Sequence, residues 1–159
     1  MEYGAAAAKA GKEVSAIIID LDGTLCNVSH RVHFIKQDPP NWPAFFDACI
    51  DDTPDAAIVA LYTMARASYH QIIYVSGRPD THRAQTFDWL QRHRLALHAE
   101  LLMRPAGDYR PDAIVKRELY DAHIAGQYDV LFCVDDRSVV VAMWRSLGLV
   151  CLQCVEGDF

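Results

Sequence analysis

The chain has 159 residues, a formal charge of −6 and an apolar content of 52%. That length suits one domain whose core needs neither disulfides nor a structural metal. The negative charge excludes a broad basic face that grips nucleic acid, leaving only local capture of a small anion, and no apolar run approaches a bilayer span.

Residues 1–13, MEYGAAAAKAGKE, lack the cationic start and long apolar stretch of a secretory signal and read as a flexible tail or linker, with one domain over 14–159. Apolar runs predict strands over 14–20, 71–76, 99–103, 130–136 and 149–155. Helical spacing fills the gaps between them. The stretch 53–69 opens with Thr53 as cap and Pro54 in the first turn, 79–93 and 110–124 repeat apolar positions at helical intervals, and 137–148 ends on Gly148. Strand and helix in alternation predict an α/β fold, a parallel sheet with helices on both faces. The exception is 26–53, with RVHFI, the proline cluster DPPNWP and AFFDACI, which reads as an ordered flap beside the active end.

Five cysteines, Cys26, Cys49, Cys133, Cys151 and Cys154, form an odd set, three of them within or beside apolar runs, and read as reduced thiols of a cytoplasmic protein. CLQC has redox or half-zinc spacing but no second ligand pair. Among the histidines no H-x-x-x-H or H-E-x-x-H string occurs, and His33 is the one nearest the expected mouth. Trp42, Phe45 and Phe46 either stack a base or pack beneath their own loop, while Trp89 and Trp144 belong to helix faces of the core.

Polar groups gather at the carboxyl ends of the predicted strands, where such sheets bind ligands. Asp20 and Asp22 end the first strand, Ser76, Gly77 and Arg78 the second, and Asp135 and Asp136 the fourth. Lys116 follows Asp112 by four residues, on the same helix face. Carboxylates brought together in this way repel one another, and a hard divalent cation, Mg2+, is the usual resolution. With Ser76, the Gly77 amide, Arg78 and Lys116 opposite, the set suits a tetrahedral dianion and points to phosphoryl transfer.

The order DLDGTL, VSGR, a lysine and VDDR resembles the haloacid dehalogenase-like phosphohydrolase superfamily over residues 14–155. The strings SGR...R..T..WL, MRPAGDYRPDAIVK, VDDRSVVVAMWRSLG and the final GDF are similar to the 3'-phosphatase domain of phage-type polynucleotide kinase-phosphatase. The resemblance implies a Rossmann-like sheet with a small or absent cap. It implies Asp20 as nucleophile forming an aspartyl-phosphate, and Asp22 as acid to the leaving oxygen and then base to water. Gly23 permits the turn between them and Thr24, which meets phosphate or orients the loop. Mg2+ would lie on the Asp20 side chain, the Asp22 carbonyl and Asp135, with Asp136 placing water and the direct ligand of that pair left open. Ser76 would bind the phosphoryl group, Lys116 would offset charge, Asp112 would orient its helix, and Arg31 and Arg78 would hold substrate phosphate.

The implied substrate is a 3'-phosphate end of DNA or RNA, or a nucleoside 3'-monophosphate. Rival readings are a phosphatase of 5'-nucleotides or other small metabolites, a receiver-like signalling module and a non-catalytic binding domain. In a receiver the phosphoacceptor follows the third strand, which here ends in MRP. No G-x-x-x-x-G-K-[ST] kinase string occurs, so phosphatase chemistry alone is expected, with any kinase or repair domain in a longer polypeptide.

Overall fold

The computed structural model describes residues 14–157. The expected tail over 1–13 and the last two residues of GDF lie outside the described residues. In chain order the elements are β1 (Ser15–Ile19), β2 (Cys26–Asn27), α1 (Val32–Ile35), α2 (Trp42–Asp47), β3 (Thr53–Pro54), α3 (Ala56–Ala67), β4 (Gln71–Pro79), α4 (Arg83–Arg92), β5 (Ala99–Arg104), α5 (Asp112–His123), β6 (Asp129–Asp135), α6 (Ser138–Ser146) and β7 (Cys151–Gln153).

The main sheet runs β5-β4-β1-β6-β7, all parallel. Every residue of β1 after Ser15 is buried because both faces are covered. Ile17 and Ile19 join Ile72, Tyr74, the α3 residues Ile58 and Tyr62, and Trp89 of α4 in one layer. Ala16 and Ile18 join Ile73, Val75 and the α6 residues Val140, Val141 and Trp144 in the other. The five predicted strands and four long helices are all present, giving the expected Rossmann-like architecture.

Three local expectations are corrected. Thr53 does not cap α3. Thr53 and Pro54 pair with Cys26 and Asn27 as β3 against β2, and the cap passes to Asp55, whose carboxylate accepts from Ala57 N at 2.9 Å and Ile58 N at 3.1 Å. The strand expected over 149–155 is only Cys151–Gln153, since Leu149 N still bonds back to Trp144 O at the end of α6. Conversely β4 extends to Pro79, with a register shift against β5 between Ser76 and Pro79 that turns Arg78 inward.

The segment 26–53 is an ordered flap. It carries α1, α2 and a 3-10 turn over Ala48–Asp51 and is closed at its base by the β2–β3 pair. Phe45 is buried beneath it while Trp42 stays 45% exposed. Trp89 Nε1 donates to Asp52 O at 2.8 Å and Arg92 Nη2 to Ile50 O at 2.7 Å, so α4 holds the flap to the body.

Candidate active site

Because β1 is the central strand, the turn that follows it opens at the middle of the sheet's carboxyl edge. Asp20 N still donates to Val134 O at 3.0 Å, fixing Asp20 beside β6. The chain then reverses tightly, with Thr24 N and Cys26 N both bonded to Leu21 O and Gly23 at φ +85°, a value that suits glycine. Asp20 and Asp22 therefore diverge into two clusters of different charge.

The first cluster contains Asp20, Asp135, Asp136 and Lys116, all buried. Lys116 Nζ donates to Asp20 Oδ1 at 2.6 Å and Asp135 Oδ2 at 2.9 Å, and lies 3.5 Å from Asp112 Oδ2. Arg137 N and Trp144 Nε1 also donate to the two oxygens of Asp135. Thr24 Oγ1 donates to Asp136 Oδ1 at 3.4 Å, but Asp136 Oδ2 is buried with no hydrogen-bond partner among the described residues. Three carboxylates thus face one ammonium. Burial first, then Asp135 and Asp136, hold the Asp20 carboxyl well above its usual range despite Lys116. Burial and Asp135 push Asp136 up to about 6. Burial would lower the Lys116 ammonium, yet Asp135, Asp20 and Asp112 keep it well above its ordinary value.

Ligand oxygens of Asp20, Asp135 and Asp136 lie within 4.8 Å of one another. A buried surplus of negative charge and one orphaned carboxylate oxygen are what a hard divalent cation relieves, so these residues fit Mg2+. Asp22, Cys26 and Asp52 form another close group, but there two guanidiniums already occupy the space between the acids.

That second cluster is an internal ion-pair network. Arg31 and Arg78 are both 0% exposed. Arg31 Nη2 donates to Asp22 Oδ1 at 2.5 Å and Asp52 Oδ2 at 2.7 Å, and its Nε reaches Asp52 Oδ1 at 2.7 Å. Arg78 Nε donates to Asp22 Oδ1 at 2.8 Å, Arg78 Nη2 contacts both Asp22 and Asp52, and Arg78 Nη1 reaches Thr86. Two cations and two anions cancel. Burial alone would raise Asp22, but Arg78 and then Arg31 bring it down to about 2.

The other expected site residues fall around these clusters. Ser76 is buried with its Oγ accepting from Arg78 N at 3.2 Å. Gly77 lies against the Asp112 carboxylate, and its carbonyl accepts from Arg104 Nε at 2.8 Å. Asp112 is held by Arg104 Nη2 at 3.1 Å. Thr24 meets Asp136 rather than open space. Arg31 and Arg78, implied as holders of substrate phosphate, are placed behind Asp22, where they grip its carboxylate.

Sequence reasoning passed over three contributors. Asp52 joins both arginines, yet its neighbour Asp51 is an exposed acid of the same kind, so no local signal separates them. Gly157 donates its N–H to Asp136 O at 3.1 Å, and a Cβ there would collide with the Asp136 carboxylate. The glycine of GDF was the visible trace. His82, not His33, lines the mouth: it bonds Asp47 at 3.0 Å and forms part of a cleft of about 880 Å³ that also holds Asp20, Asp22, Trp42, Phe46 and Tyr109.

A buried acid-lysine cluster at the carboxyl edge of this sheet defines a haloacid dehalogenase-like phosphatase, a phosphoric monoester hydrolase. Residues 14–159 match the polynucleotide kinase PNKP phosphatase domain, and the chain belongs to that family. It is 30% identical over 144 residues to a bifunctional polynucleotide kinase/RNA ligase of Autographa californica nuclear polyhedrosis virus, covering 91% of this chain and 20% of that protein. A chain in the structure of the Pnkp1/Rnl/Hen1 RNA repair complex is similar at 36% identity and a TM-score of 0.78, over 92% of this chain and 44% of that one. The class C acid phosphatase of Bacillus anthracis with tungstate bound shares the fold at 19% identity and a TM-score of 0.61, over 83% of this chain and 56% of that one. The chain thus spans a fifth of the viral relative and under half of the repair-complex chain.

Proposed function

We propose that the protein removes phosphate from the 3'-ends of polynucleotides, or from nucleoside 3'-monophosphates, as a Mg2+-dependent enzyme within a nucleic-acid repair system. The division of the site into an anionic half around Asp20 and a neutral half around Asp22 carries the reading. Family membership supports a nucleic-acid end as substrate. The names of the relatives, a kinase/RNA ligase and an RNA repair complex, support kinase or ligase activities as companions. Five unpaired cysteines support a reducing, cytoplasmic setting.

Asp20, Asp135 and Asp136 would hold the ion, together with the Asp22 carbonyl. When bound, Mg2+ supplies Lewis-acid neutralisation of the phosphoryl oxygens. The Asp20 carboxylate attacks phosphorus, forming an aspartyl-phosphate as the bond to the 3'-oxygen breaks. Lys116 aims Asp20 and works against the burial that disfavours its ionised form, and a bound cation would act in the same direction. Asp22 gives its proton to the leaving oxygen and then takes one from the water that attacks the aspartyl-phosphate, releasing inorganic phosphate and restoring Asp20. At rest Asp22 is ionised, as its pKa of about 2 requires, which suits the second half of the cycle. A phosphate dianion entering beside it raises its proton affinity for the first half.

The test is a panel of 3'-phosphorylated oligonucleotide, 5'-nucleotides and sugar phosphates, with and without Mg2+, using Asp20→Asn as the blank. The highest kcat/KM should fall on the 3'-phosphorylated oligonucleotide and vanish on chelation. A preference for 5'-nucleotides or sugar phosphates would overturn the reading in favour of a metabolite phosphatase.

A further inference from the structure

The cleft in front of Asp20 is far larger than a phosphate group, and one of its walls is aromatic. Trp42, Phe45 and Phe46 form one ring cluster, with Trp42 stacked on Phe46 at 5.8 Å between centroids and edge-on to Phe45 at 5.8 Å. Core packing accounts for Phe45, which is buried. It does not account for Trp42, which is nearly half exposed and lines the cleft, nor for Tyr109, which is 95% exposed in the lining of the same cleft. Phe46 and His82 complete that wall at 5.7 Å between rings.

The wall stands on the side where the leaving group must go. An acid that protonates the leaving oxygen places the body of the leaving group beside Asp22. Asp22 is bound to Arg31, and Arg31 lies 4.2 Å from the centre of the Phe45 ring and donates to Phe45 O at 3.2 Å. The aromatic cluster is therefore fastened to the leaving-group half of the site. It is also held in place beforehand, through Asn41 capping α2 at Ala44 N, His82 on Asp47, and the bonds from α4 to the flap. A sugar offers such a wall only the C–H groups of a puckered ring, with hydroxyls at its rim. A nucleobase has a flat face, and stacking accepts any base because every base offers a π-face.

We propose that Trp42, backed by Phe46, is a stacking subsite for the base of the 3'-terminal nucleotide, with Tyr109 in the same cleft enclosing it. The proposal rests on the polynucleotide reading above and names the part of the substrate that is held. It requires the terminal base to matter as much as the terminal phosphate.

The experiment compares a 3'-phosphorylated oligonucleotide with the same strand ending in a base-free tetrahydrofuran residue that bears the 3'-phosphate, and with glycerol 2-phosphate. The parent enzyme should prefer the base-bearing end by roughly ten- to a hundredfold in kcat/KM, through KM. In Trp42→Ala that ratio should fall to near one, and Trp42→Phe should restore most of it. Because Trp89 and Trp144 are buried, adding the base-bearing strand to Asp20→Asn should quench the fluorescence of Trp42, and the base-free strand should not. Equal kcat/KM for both strands in the parent enzyme, or a ratio untouched by Trp42→Ala, overturns the subsite while leaving 3'-phosphatase activity standing. Hydrolysis of glycerol 2-phosphate with neither strand dephosphorylated overturns the polynucleotide reading, and the subsite with it.

Discussion

Asp52→Asn tests the ion-pair network with the least change of shape. Asp52 accepts three bonds from guanidiniums, from Arg31 Nε at 2.7 Å, Arg31 Nη2 at 2.7 Å and Arg78 Nη2 at 2.8 Å, and its Oδ1 also lies 2.9 Å from His30 Nε2, in a fully buried setting. The carboxamide removes one charge and turns one acceptor into a donor that faces a guanidinium N–H. Two buried arginines are then left with Asp22 alone. Removing one partner of such a network costs about 3–5 kcal/mol. For a chain of this size each kcal/mol shifts the melting midpoint by about 2–4 °C, so the midpoint should fall by about 6–20 °C. The assay is thermal unfolding followed by circular dichroism, with Asp51→Asn, the exposed neighbour, as the matched control expected to change stability by less than about 0.5 kcal/mol. The kcat of Asp52→Asn should fall as well, since Asp22 loses its fixed direction. An Asp52→Asn midpoint within about 2 °C of the parent would refute the reasoning, because the network would then carry no net stability.

Lys116→Met removes the ammonium that pairs with Asp20 and Asp135, and kcat should fall by roughly 10²–10³ in a steady-state assay. Gly157→Ala places a methyl group where the Asp136 carboxylate lies. The Mg2+ concentration for half-maximal activity should rise by about 10–100-fold, and calorimetric Mg2+ binding should weaken in parallel. In the presence of chelator, stability should fall as pH rises from the ordinary carboxylate value of 3.8 to about 6. Across that window the folded state binds more protons than the unfolded one at Asp136, and Asp20 acts in the same direction. Denaturant midpoints read this slope, which Mg2+ or Asp136→Asn should flatten. At saturating Mg2+ the folded state gains RT ln(1 + [L]/Kd), about 2.7 kcal/mol at a hundredfold excess over Kd, and a midpoint indifferent to Mg2+ would exclude binding at this cluster.

The parts of this protein legible in its sequence are those governed by short-range pattern. β1 is apolar at consecutive positions because helices cover both sides, and Asp20 marks where that cover ends. Lys116 and Asp112 share a helix face at a spacing that any helix imposes, and the structure brings the lysine between Asp20 and Asp135. What depended on tertiary placement was not legible. Asp51 and Asp52 read alike, and only the 3-10 turn that ends on Asp51 decides which faces inward. Thr53-Pro54 is a sound opening for a helix, but pairing with Cys26 and Asn27 claimed it for a strand, and Asp55 was the stronger cap. Arg31 and Arg78 look the same in sequence whether they hold phosphate or hold Asp22. His33 was closer to the motif along the chain, whereas His82 reaches the cleft because β4 runs on to Pro79.

The central position of β1 also has a consequence for how the protein matures on the ribosome. Asp20 is made 96 residues before its ammonium partner, and Asp135 comes later still. A nascent chain can therefore expose the DLDGT turn long before it owns any of the groups that give that turn chemistry. The acid-lysine cluster is whole only once β6 lies beside β1, so the site and the sheet are completed together.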